Sequence, residues 1–207
     1  MPRAVLGGLL GGIAMWIVGF IFWGTPLKYL ALTQTSDAAS ATIQATLAQQ
    51  LAATGTGAYP VPWPDTPTGT QLYGQGPVAM VLFNNSGFAA LGTSALVSGL
   101  ILGIVCSVLL AFALARVTAG MSFGGRLTIV GFFAVAITAY SQLGQPIFNH
   151  APWGYFIYLW ISEIAGWIAA GAAIAWMLPK PVVVAAAAPP ETSEERQGPR
   201  ATVEIGA

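Results

Sequence analysis

Charge is what this sequence has least of. Acidic and basic side chains make up only 7% of its 207 residues, seven of each sign, and the net charge is zero. Ordinary soluble domains carry about 25% charged residues, so this chain cannot cover itself with a water-facing surface of normal composition. The equal signs also remove the basic footprint that nucleic acid requires. A single cysteine, Cys106, excludes an internal disulfide and a thiolate metal site. The single histidine, His150, stands beside Asn149 and is too little for zinc or haem. It reads as a solvated interfacial side chain, with pH sensing as the alternative.

The same scarcity bears on catalysis. Ahead of residue 179 the acids are Asp37, Asp65 and Glu163, far apart in the chain. With one histidine and one cysteine they cannot form an arrangement of nucleophile, base and orienter. The glycines of "GQGPVAM" do not stand between a strand and a helix, where they would cradle phosphate. The expectation is a protein that is not an enzyme and holds no cofactor or metal.

Apolar residues are abundant: 56% of the chain, for a mean hydropathy of +0.71. Four runs, at about 4–24, 89–115, 127–147 and 155–178, reach the length of about 20 residues that crosses a bilayer. Each must be a helix, because a spanning segment satisfies its own backbone hydrogen bonds. The fold class expected is an all-α membrane protein, a four-transmembrane-helix bundle. The first run is too long for the apolar core of a signal peptide, about 7–15 residues, and reads as a retained span. Arg3, Arg116, Arg126 and Lys180 fall on one side of these spans and Lys28 alone on the other. The positive-inside rule then places both termini in the cytoplasm. Trp23, Trp153 and Tyr155 suit the aromatic belt at the outer interface.

Between the first two spans, residues 25–88 are too many for a plain connector and predict a small extracytoplasmic cap. A helix is expected at about 36–53, capped by Ser36 and Asp37, with Ile43, Leu47 and Leu51 on one face. The apolar face of the cap is expected to rest on the bundle or the lipid surface. Prolines make "AYPVPWPDTP" extended, and a short strand is expected at about 77–83. Residues 89–178 hold spans two to four. Residues 179–207, rich in Pro, Ala and charge, predict a disordered cytoplasmic tail.

"GGLLGG" in the first span, "GAYPVP" and "GPVAM" in the cap, and an acid ahead of "GWIAAG" in the last span resemble a family of bacterial inner-membrane proteins with four predicted spans. The resemblance covers most of positions 4–178. It implies the bacterial inner membrane and the four-span topology, and it brings no activity, because that family has none established.

Two features are candidates for function. The first is glycine: Gly7/Gly11 and Gly8/Gly12 form overlapping pairs four apart, with Gly19 extending the second, and Gly99/Gly103 form another pair. Missing side chains let helices approach closely in lipid. The pairs therefore serve packing inside the bundle, or the interface of a homo-oligomer or partner protein. The second is Glu163, about eight residues, or about 12 Å, inside the last span. A charge there costs on the order of 2.5–3.5 kcal/mol to insert, which favours a neutral, hydrogen-bonded acid facing the bundle. Thr138, Ser141, Gln142 and Gln145 recur at i, i+3, i+4 and i+7 on the third span at matching depth. Ser94 and Ser98 lie at similar depth on the second, and Tyr140 and Tyr158 are further candidates. This set is either a network that locks helix register or the lining of a polar cavity open to the outside. The leading function class is accordingly a non-enzymatic membrane accessory or scaffold protein. Behind it stand a small transporter or channel subunit working through Glu163, then a lipid- or quinone-binding protein using Trp16, Trp160 and Trp167.

Overall fold

A computed structural model describes residues 1–90 and 92–179. The tail expected at 179–207 lies, from residue 180 on, outside the described residues. The chain runs α1 (Pro2–Gly24), a 3-10 turn (Pro26–Leu30), α2 (Asp37–Leu51), β1 (Gly57–Val61), α3 (Pro67–Gln75), β2 (Ala79–Phe83), α4 (Thr93–Val117), α5 (Phe123–Thr138), a π turn (Ala139–Leu143), α6 (Gly144–Asn149) and α7 (Trp153–Met177). Four helical stretches, Pro2–Gly24, Thr93–Val117, Phe123–Asn149 and Trp153–Met177, are long and apolar enough to cross a membrane. Their outer faces carry exposed Leu9, Ile13, Ile17, Leu102, Leu109, Phe132, Phe133 and Ile168. Water would not tolerate so continuous an apolar surface; together these features suggest a multi-pass membrane protein.

Residues between α1 and α4 form the cap. Thr25 closes α1 by donating its hydroxyl to Ile21 O (2.6 Å) and starts the 3-10 turn by accepting from Leu27 N–H (3.3 Å). Ser36 Oγ accepts from Ala39 N–H (3.2 Å) and begins α2. β1 and β2 pair antiparallel, Gly57 opposite Phe83 and Val61 opposite Ala79. Pro60 is tolerated in β1 because a two-stranded sheet consists of edges. α3 was not expected from the sequence. Its start is nonetheless written there: Thr66 caps Gly69 N–H (3.0 Å), and Pro67 occupies the first helical position, where its missing N–H costs nothing. Ile43 and Leu47 of α2 line a cavity of about 590 Å³ with Val81, Leu82 and Phe83 of β2.

α1 lies between α4 and α7, and α5 packs on α7. The two-sided position of α1 follows from its doubled glycines. A methyl placed on Gly8 would come 2.6 Å from Val108 Cα, and one on Gly12 2.7 Å from Ile104 N, both in α4. Gly7 faces α7, where an added methyl would meet Ile174 Cα at 3.2 Å, and Gly11 faces both neighbours, with Ala170 O of α7 at 3.0 Å and Ser107 Oγ of α4 nearer still. Each side of α1 therefore touches a neighbour's backbone, the approach that small residues permit. Gly171 makes room between α7 and α5 for the side chain of Val130. Gly103 is in ordinary contact with Gly12 O at 3.4 Å, whereas Gly19 and Gly99 have open space around them. Within this chain, among the described residues, those two pack against no other helix.

The buried apolar core comprises Ala4, Ala111, Leu114, Val130, Ile174 and Leu178. All six sit in the half of the bundle farther from the cap. Toward the cap, contacts become aromatic: Trp23 meets Tyr158 edge-on at 5.2 Å and Tyr155 at 6.1 Å, and Tyr158 donates its hydroxyl to Phe22 O (2.7 Å).

Candidate polar site on the last span

Glu163 is partly buried on α7, in the half nearer the cap. Among the described residues its one side-chain partner is Gln142, whose Nε2 donates to Glu163 Oε1 at 2.7 Å. Both residues stand on helices that run antiparallel through a tight connection, Asn149 to Trp153. His150 closes α6 in the left-handed conformation, φ 53°, and its ring lies 6.1 Å from that of Tyr73 in the cap.

The third span does not keep an α-helical pitch through the polar stripe. Residues 139–143 form a π turn, followed by buried Pro146. Proline has no N–H to return to the Gln142 carbonyl and its ring crowds that carbonyl, so the ladder widens just ahead of it. A π turn shifts the residues beyond it around the helix, and the expected stripe splits. Thr138 is buried and donates to Ala134 O within its own helix (2.5 Å). Gln142 turns to Glu163. Ser141 is exposed and donates to Thr138 O (3.2 Å). Gln145, also exposed, accepts from Asn149 Nδ2 (2.8 Å). Ser94 and Ser98 are exposed on α4 and make no hydrogen bond to Glu163. Tyr140 is 82% exposed, and Tyr158 is committed to Phe22 O.

The structure therefore brings together one pair, Glu163 with Gln142, out of the set expected around the acid. Chemically the pair joins α7 to the third span through one carboxyl oxygen and one amide hydrogen. Among the described residues no group of His, Cys, Asp and Glu could hold a metal ion. The three tryptophans are scattered. Trp16 donates to Leu96 O (3.2 Å), Trp160 Nε1 is buried with no partner among the described residues, and Trp167 lines an apolar cleft of about 540 Å³ between α4 and α5.

A second polar feature escaped the sequence reading, which used Arg126 only as a marker of sidedness. Arg126 is 3% exposed. Its guanidinium donates to Ala175 O (3.3 Å), Leu178 O (3.3 Å) and Pro179 O (2.6 Å) at the end of α7, and to Thr118 O (3.5 Å) after α4. Terminal carbonyls of a helix lack partners in their own ladder, and a planar fork of donors can serve several at once. Its place in "FGGRLTIV", the start of a span between apolar residues, was the available signal. No family model, curated protein or solved structure matches the chain.

Proposed function

We propose that this chain is a non-enzymatic accessory or scaffold protein of the bacterial inner membrane, with both termini in the cytoplasm and the cap outside. The observation that carries this reading is the close packing of α1 against both α4 and α7. Gly8 and Gly12 bring α1 to the backbone of α4, Gly7 and Gly11 bring it to α7, and the Gln142–Glu163 pair is an isolated polar contact. Such packing favours a rigid element over a conduit. Arg3, Arg116 and Arg126 gather at the end opposite Lys28 and the cap, which supports the orientation. The resemblance noted above supports the choice of membrane.

Extraction of the full chain in mild detergent tests the reading. The expected result is a larger assembly with a partner in fixed stoichiometry that survives Glu163→Gln. A single chain free of any partner, together with ion flux in liposomes that Glu163→Gln abolishes, would instead establish the transporter reading. The Gln142–Glu163 bond is the one observation in favour of that alternative.

A further inference from the structure

At the end of the bundle remote from the cap, α1, α4, α5 and α7 surround a cavity of about 870 Å³. Three arginines line it: Arg3 from α1, Arg116 from the last turn of α4, and Arg126 from the first turn of α5. Arg3 and Arg116 are exposed, while Arg126 is buried and its Nε has no partner among the described residues. Among the described residues no carboxylate lines this cavity, since Asp37, Asp65 and Glu163 lie in the cap or on the cap-side half of α7. The remaining walls include apolar Phe112, Ala115 and Leu178. Positive charge is thus concentrated at the rim of the spans, beside apolar surface that continues along them.

We propose that this cavity is a binding site for a phosphate-bearing anion. Arg3 and Arg116 make the charged contacts, and Arg126, held by the carbonyls of α7 and α4, forms a fixed wall behind them. Guanidinium groups match phosphate oxygens in geometry and charge. Basic pockets between helices at a membrane edge take the head groups of anionic lipids. The apolar walls suit a phosphate that carries acyl chains, and a soluble phosphate offers the same head chemistry. The proposal goes beyond the scaffold reading and does not depend on it.

Native mass spectrometry of the full chain in detergent tests it, with phosphatidylglycerol, phosphatidylcholine and inorganic phosphate as separate probes. The wild type is expected to retain phosphatidylglycerol over phosphatidylcholine. The double variant Arg3→Gln/Arg116→Gln is expected to lose that affinity by about thirtyfold, the product of two surface basic contacts. Both arginines are exposed, so the variant should keep its fold, which circular dichroism checks; Lys28→Gln at the opposite end should change nothing. Displacement of the lipid by millimolar inorganic phosphate, with the same dependence on Arg3 and Arg116, would keep the site and identify its source as soluble. Equal retention of both lipids with no response to inorganic phosphate, or phosphatidylglycerol retention indifferent to the double variant, would overturn the proposal.

Discussion

Alanine at Gly8 and Gly12 should push α1 away from α4. The added methyls would lie 2.6 Å from Val108 Cα and 2.7 Å from Ile104 N, whereas carbon atoms pack at about 3.5–4.0 Å. Both obstacles are backbone, so no side-chain rotation can relieve them, and the helices must separate by about 1 Å. A gap of that size forfeits a quarter to a half of each contact along the interface. Overpacking of this kind costs about 1–3 kcal/mol per site. Against it stands the gain in helix propensity from glycine to alanine, about 1 kcal/mol per site. The matched control is Gly19→Ala/Gly99→Ala, at positions with open space. It receives the same propensity gain without the clash. The difference between the two double variants therefore isolates packing. One helix displacement relieves both clashes together, so the difference should fall near the lower end of the sum, about 2–3 kcal/mol. Reversible unfolding of each variant in mixed detergent micelles, followed by helical circular dichroism, measures it. If Gly8→Ala/Gly12→Ala proves as stable as its control, the close α1–α4 approach is wrong.

Two further outcomes follow from the polar contacts. Arg126→Leu leaves the terminal carbonyls of α7 without their donors. Hydrogen bonds to charged groups contribute about 1.5–3 kcal/mol each, so thermal unfolding should shift down markedly; Arg126→Lys should recover only part, and full recovery by lysine would show that the fork is unimportant. Gln142→Leu removes the donor to Glu163. In nanodiscs, the protonated-carboxyl infrared band identified by subtracting Glu163→Gln should then move to higher frequency, and a band that does not move would place Gln142 away from the acid.

What could be read in advance at the Glu163 site was depth, and what could not was direction. Counting residues from the connection at Asn149 to Trp153 puts Glu163 and Gln142 at comparable levels, because antiparallel neighbours share one ruler of 1.5 Å per residue. The split of the stripe came from the π turn ahead of Pro146, and one extra residue in a turn changes every direction after it. Ser94 and Ser98 stood at a fitting depth, yet α4 is held against α1 and turns them outward. Arg126 was conspicuous in composition, but three of its four carbonyl partners lie some fifty positions away in the chain, which no local pattern announces.

The sequence by itself determined the four apolar helices, the cap between the first two, and the helix start at Ser36, because length, hydropathy and capping are local properties of neighbouring residues. It also marked "GGLLGG" as a place of close approach. Tertiary structure alone decided that these glycines serve two neighbours while Gly19 and Gly99 meet no other helix among the described residues, since any glycine permits contact but only another helix supplies it. In the same way it alone assembled Arg3, Arg116 and Arg126 around one cavity. They come from three separate helices, and only the packing of those helices brings their ends together.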